Sequence, residues 1–211
     1  MKISRGTKIT LFVILLLVID QIIKILVKTN MTIGQSLSVF GNWFQIYFIE
    51  NNGMAFGMQF GGGIGKILLT ILRIILVIFI YLYIRKLLKK SGIPIGILFG
   101  LAAIMCGAFG NIIDSMFYGI FFSESTFTNV AQLFPQGGGY ANFLMGKVVD
   151  MFYFPIINTT LPEWFPIWGG RDILFFRPIF NFADACITCG AFYLAIFHWK
   201  FFSTTKKVEG K

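Results

Sequence analysis

Long apolar runs dominate this chain, and strict alternation of apolar and polar residues is rare. A helix needs about 20 mostly apolar residues to cross a bilayer. Four segments qualify: 9–27, 67–84, 93–113 and 182–199. The third contains no charged residue and the second only Arg73. Between the first two lies "NWFQIYFIEN", 42–51, which is aromatic and β-branched with partial alternation, and "NNG" at 51–53 supplies a turn signal. This predicts a small β-hairpin or sheet on the membrane surface. The stretch 118–180 reads as a long loop, with "PQGGGY" and "LPEWFPIWGG". Trp164, Phe165 and Trp168 within it suit the headgroup zone. The expected fold is integral membrane and all-α: four transmembrane helices, a small outer-face β-cradle, and a long outer loop between helices 3 and 4. Residues 1–211 form one domain with no internal repeat.

Composition strengthens this picture. The chain is 56% hydrophobic and 13% charged, where a soluble domain carries about 25% charged residues. The first apolar run follows Lys2, Arg5 and Lys8 as in a signal peptide, but "DQIIKILVK" follows it instead of a small-residue cleavage site. It is therefore expected to be a retained first span. The net charge of +9 gathers beside the apolar runs and forms no stripe interleaved with aromatics, which argues against a nucleic-acid partner. Lys2, Arg5 and Lys8 precede the first span. Arg85, Lys86, Lys89 and Lys90 join the second to the third, and Lys200, Lys206, Lys207 and Lys211 follow the fourth. Only Lys147, Arg171 and Arg177 lie between 118 and 180. The positive-inside rule then places both termini in the cytoplasm and segments 28–66 and 114–181 outside. Cys186 and Cys189 form a CxxC within an apolar helix, where the spacing serves packing rather than redox or metal chemistry.

This orientation sorts the polar residues by depth. Asp20, Gln21 and Lys24 fall in the outer half of helix 1, and Asn111 and Asp114 at the outer end of helix 3. Asn181 and Asp184 begin helix 4, with Arg73 about two turns into helix 2. Charges in hydrocarbon are costly, so a set gathered at one depth reads as a site. A structural account competes. Asp20 and Lys24, four apart, would neutralise each other; Asn181 would cap helix 4 and Asn111 cross-link helices. Asp184 has no cation near it in sequence. His198, the only histidine, lies at the other end of helix 4, which excludes Ser–His and Cys–His catalysis and a His-ligated zinc at the outer face. Carboxylates remain, including Asp150 in "GKVVDMFYF". Two carboxylates in a poorly solvated place share one proton and can cleave an amide without a metal. An aspartic peptidase, a small membrane transporter and a non-catalytic lipopeptide-binding protein all fit a one-sided acidic site. The bias to one leaflet disfavours a transporter, whose site lies near the midplane.

Five blocks, in order, complete the reading: "DQIIK" at 20–24, "NNGMAF" at 51–56, "GAFGNIID" at 107–114, "VVD" at 148–150 and "FNFAD" at 180–184. With them the chain resembles lipoprotein signal peptidase (signal peptidase II), a family of bacterial membrane aspartic peptidases. The resemblance covers about residues 9–200. It implies that Asp150 and Asp184 are the catalytic pair. It further implies that Asn51, Gly53, Asn111, Asp114 and Asn181 shape the pocket, with Asp20 and Lys24 in support. The implied substrate is a diacylglyceryl-modified prolipoprotein, cut before the lipidated cysteine. The implied setting is the bacterial cytoplasmic (inner) membrane, with the active site at the periplasmic face. Membrane lipid and globomycin-type inhibitors are the implied partners, with no cofactor or metal and a monomeric chain. Two departures stand out. Ser115 occupies the place of the family arginine, for which Arg73, Lys147, Arg171 or Arg177 would substitute. The stretches 120–147 and 151–180 are long, and would serve as a lid or a docking surface.

Overall fold

The computed structural model describes residues 3–52, 62–155, 157–160, 162–164, 166, 170, 172–175 and 178–205. Gly53, Phe165, Trp168, Arg171, Arg177 and the 54–56 part of "NNGMAF" lie outside the described residues. Among the described residues, three helices are long and apolar enough to cross a membrane. Helix α1 is Arg5–Asn30, α2 is Gly62–Leu88 and α3 is Ile95–Ile113. Ser4 caps α1 by accepting from the Thr7 N–H at 3.1 Å, and the run after Gly6 holds no Gly or Pro to break it. α3 continues through a π-helical turn, Asp114–Tyr118, and a last turn, α4, Gly119–Phe121.

The segment predicted as the fourth span divides in two. Helix α5 is Phe182–Phe197, and α6, Trp199–Thr205, follows a break at His198. Sixteen residues give about 24 Å of helix at 1.5 Å each, less than the hydrocarbon thickness. Its Cys186 is buried and its Cys189 exposed, so the CxxC does not put both small residues into the packing seam as the spacing suggested.

α3 is the central helix. Ile97, Leu98, Ala102, Cys106, Gly107, Ala108, Asn111 and Ile112 are buried along it. Two glycines let its neighbours approach. A side chain at Gly107 would strike the Ala183 carbonyl oxygen of α5, and one at Gly110 would meet the Asp20 carboxylate of α1 at 2.5 Å. These approaches bring the polar residues of three helices to one level. Away from α3, the chain leaves Leu11, Leu15, Val18, Ile22 and Leu26 of α1 exposed, and Leu68, Leu72, Ile75, Phe79 and Leu82 of α2. Apolar stripes of that extent are at home in lipid.

An antiparallel four-stranded sheet sits at one end of the helices, in the order β1-β2-β3-β6. The strands are β1 Ser36–Phe40, β2 Phe44–Asn51, β3 Val148–Tyr153 and β6 Ile179–Phe180. β4 Ile157–Thr160 and β5 Asp172–Phe175 form a separate pair. The β1–β2 hairpin turns at Gly41, whose φ of 51° is the left-handed conformation that glycine allows. Of "NNG", Asn51 is in strand, paired with Val148, and Gly53 lies outside the described residues. One expectation needs correction: the stretch 118–180 is no plain loop, since it supplies β3 to β6.

The register sets the sheet's two faces. Ile49 pairs with Asp150 and Asn51 with Val148, so Asn51 and Asp150 share a face while Glu50 and Val149 point the other way. Phe48, Val149 and Met151 pack on that reverse side with Val27 and Met31 of α1 and with Tyr118, Phe122 and Ala131. The segment after α4 folds back here through backbone bonds from Tyr140 to Phe122 and from Ala141 to Gly119. Residues 120–147 therefore back the strands from behind. Neither use foreseen for them, a lid or a docking surface, is needed to account for this packing.

Candidate active site

Asp150 lies in the buried part of β3, and Asp184 lies in the first turn of α5. The local sequence fixes both. Asn181 caps α5: its Oδ1 accepts from the Asp184 N–H at 2.9 Å, and Asp184 Oδ2 accepts from the Asn181 N–H at 3.4 Å. This reciprocal capping box pins the Asp184 carboxylate over the helix N-terminus. The same asparagine reaches across, with Nδ2 donating to Asp150 Oδ1 at 2.7 Å. Asn51 donates to the other Asp150 oxygen. One amide thus joins the strand acid to the helix acid.

Helix 3 supplies the next member. Asn111 Nδ2 donates to Asp184 Oδ1 at 2.8 Å, and Asn111 Oδ1 accepts from Asn181 Nδ2 at 3.1 Å and from Lys24 Nζ at 2.9 Å. The logic is directional. An ammonium has only hydrogens to offer, so it claims the oxygen of Asn111 and leaves the amide hydrogens for Asp184. Lys24 is fully buried between Asp20 at 3.0 Å and Asp114 at 2.8 Å. Asp20 in turn accepts from the Ala183 N–H at 2.9 Å. Gln21 bridges Asp20 and Asp114, and takes a bond from the Tyr118 hydroxyl. Asp20, Lys24, Asn51, Asn111, Asp114, Asp150, Asn181 and Asp184 form one connected network; Gly53 lies outside the described residues.

Sequence reasoning gave Tyr118 no part in this set. Its only signal is its place one helical turn after Asp114. Ser115 is 1% exposed and bonds the Asn111 carbonyl. Of the proposed substitutes, Arg73 lies within electrostatic reach of Asp184, Asp114 and Asp150. Lys147 turns away to Glu50 and Glu124. His198 meets Tyr193 at 3.3 Å, at the opposite end of α5. No cluster of His, Cys, Asp or Glu suited to a metal occurs among the described residues.

Burial, and then the neighbouring charge of Asp184, push the Asp150 carboxyl up from 3.8 to about 7, against the Asn181 bond that favours its ionised form. The folded chain therefore holds a proton between those values that the unfolded chain has lost. Stability should fall as pH rises from about 4 to about 7, by on the order of a few kcal/mol, and stay low above that window. Melting in detergent across pH 4–8 checks this. Asp150→Asn should flatten the dependence; an equally steep curve in that variant would assign the titration to another group.

Helices with lipid-facing stripes, a sheet at one end and a buried acid–amide network at their junction define a membrane protein with a polar site at one level. The chain belongs to a peptidase family: the one described as Signal peptidase (SPase) II matches residues 12–200. It is 47% identical over 195 residues to the lipoprotein signal peptidase of Porphyromonas gingivalis, covering 92% of this chain and 84% of that protein. The lipoprotein signal peptidase of Amoebophilus asiaticus is 37% identical over 180 residues, with 84% and 71% covered. A solved bacterial membrane enzyme, determined by the in meso method at 2.3 Å resolution, shares the fold with a TM-score of 0.59 at 22% identity, over 93% of this chain and 90% of that one.

Proposed function

We propose that the chain is an aspartic endopeptidase that removes signal peptides from diacylglyceryl-modified prolipoproteins by cutting before the lipidated cysteine. The observation that carries this reading is Asn181, which donates through its side chain to the Asp150 carboxyl group and through its backbone N–H to the Asp184 carboxyl group, in a chain of this family. Asp150 is 2% exposed and Asp184 is half-buried, so the two differ in environment as an acid and a base must.

Asp150 holds the shared proton, and Asp184 takes one from a water held between them. The water oxygen bonds to the scissile carbonyl carbon while the Asp150 proton passes to the carbonyl oxygen, giving a neutral gem-diol. Asp184 then delivers its proton to the amide nitrogen. The C–N bond breaks, and a gem-diol hydroxyl returns its proton to Asp150 as the new carboxylic acid forms. Both acids end as they began. Because the Asp150 proton is lost near pH 7, the alkaline limb of kcat/KM is expected there.

The lipid-facing stripes support a four-span arrangement in which α5 with α6 makes the last crossing. The basic residues beside the helix ends support cytoplasmic termini and a site at the periplasmic face of the inner membrane. The acyl chains on the substrate cysteine would lie in the bilayer beside the site. The test is a purified protein given a precursor peptide with diacylglycerol on its cysteine, and the same peptide without it. Cleavage before the cysteine of the lipidated peptide alone is the expected result. Equal cleavage of both, or of neither, would overturn the substrate assignment.

A further inference from the structure

A second buried ionic cluster lies behind the first and takes no part in the chemistry above. Lys28, fully buried near the end of α1, pairs with Glu50, whose side chain is 2% exposed. Ser125 of the 120–147 segment closes the group: its hydroxyl takes a bond from Lys28 Nζ at 2.9 Å and gives one to Glu50 Oε1 at 2.9 Å. Lys147 stands 3.7 Å from the other Glu50 oxygen and 3.3 Å from Glu124. The Lys28 ammonium also lies over the rings of Tyr140 at 5.0 Å and Phe122 at 5.4 Å. Burying such a pair gains little over apolar packing, so its retention here calls for a role beyond cohesion.

The register supplies that role. Glu50 and Asn51 are consecutive in β2, so their side chains leave opposite faces of the sheet. Glu50 faces Lys28 and Ser125, and Asn51 faces Asp150 and donates to it. A bulge between Ile46 and Ile49 interrupts the β2–β3 ladder just before this point, so regular pairing alone fixes the end of β2 less firmly. Immediately beyond, Asn52 is held through its side chain by Lys66 at 3.2 Å.

We propose that Lys28 and Glu50 are positioning residues for the reaction. Their buried ion pair, clamped by Ser125, fixes the end of β2 so that the Asn51 amide holds Asp150 in its reactive orientation. The inference rests on the peptidase reading above. It also gives the 120–147 segment a task, since that segment contributes the clamp.

The test is Glu50→Gln, which keeps the shape and removes the charge. A folded variant should lose about 10- to 100-fold in kcat with KM for the lipidated peptide within about twofold, as expected when a misplaced group costs the chemical step rather than binding. The pH profile separates positioning from other effects. The charged groups around Asp150, namely Asp184 of α5, Lys24 of α1, Asp114 after α3 and Arg73 of α2, are unchanged in this variant. Removing the Glu50 charge acts through space to lower the alkaline limb, whereas a loosened Asn51 donor raises it. An upward shift is expected, with Glu50→Asp recovering part of both effects. Ser125→Ala, which removes only the clamp hydroxyl, should lower kcat about 3- to 10-fold with a shift in the same direction, and it decides the matter if Glu50→Gln does not fold. Wild-type kcat and an unmoved profile in either folded variant would overturn the proposal, as would a downward shift. Should Asp150→Asn and Asp184→Asn cleave normally, the peptidase reading itself fails; should they be inactive while Glu50→Gln is normal, only the positioning role fails.

Discussion

Asp150→Asn and Asp184→Asn are each expected to reduce cleavage of a lipidated precursor by at least about a thousandfold while leaving the protein folded and membrane-inserted. The magnitude follows from what each acid does. Proton transfer by a placed group contributes about 10²- to 10⁴-fold, and in the proposed mechanism the two groups act as a unit in which either loss removes the shared proton. Loss of one should therefore cost nearly as much as loss of both, so the double variant should be hardly slower than the singles. An asparagine keeps the volume and most of the hydrogen bonds. At position 150 the Asn181 donor retains an oxygen to meet, and the Asn51 amide can turn to offer its own oxygen. At position 184 the new side chain can still accept from the Asn181 backbone, so the cap of α5 survives. Single-turnover cleavage and melting in the same detergent check both halves of the claim. Near wild-type cleavage by either variant would remove that residue from the chemistry.

The residues of the candidate site were legible because each sits in a short motif with a local signature. "FNFAD" announces a helix cap and an acid in one stroke, and the structure uses Asn181 and Asp184 as a capping box. Asp20 and Lys24 are four apart, and their contact follows from helical geometry alone. Asp114 was legible as polar but not as the second partner of Lys24, since that contact bridges two helices. The bland and the functional readings of Asn111 also turned out not to compete: it cross-links α1, α3 and α5 and orients Asp184 by the same bonds.

What the sequence hid is what long-range pairing decides. Nothing near Glu50 says that it meets Lys28, 22 residues earlier, or Ser125, 75 residues later. The turn of the β1–β2 hairpin was not legible because it depends on Gly41 adopting a positive φ, which "GNW" at 41–43 does not announce. The pairing of Asn51 with Val148, almost a hundred residues away, has no local signal either. The 120–147 segment was opaque for the same reason, because its packing partners belong to α1 and to the reverse face of the sheet.

Lys24→Met should be the most destabilising single change in the helical part of the site, by about 3–5 kcal/mol. A fully buried ammonium is costly, yet here it pairs with two buried carboxylates at once. Deleting it leaves Asp20 and Asp114 facing each other across the vacated space without a cation, and breaking a buried pair by removing one partner costs about that much. For a chain of this size each kcal/mol lowers Tm by about 2–4 °C, so a drop on the order of 10 °C in detergent is expected. Activity should fall beyond what the fraction folded explains. Without the ammonium only the longer bond from Asn181 holds the oxygen of Asn111, so its amide is freer to rotate and its donation to Asp184 weakens. A partner substitution separates the two effects. Lys24→Met combined with Asp114→Asn removes one of the stranded charges and should recover a good part of the stability, because residues in direct contact are not additive. The same double variant still lacks the ammonium that claims the Asn111 oxygen and should stay slow. If it regained full activity along with its stability, the orienting role of Lys24 would be refuted and its work would be charge balance alone.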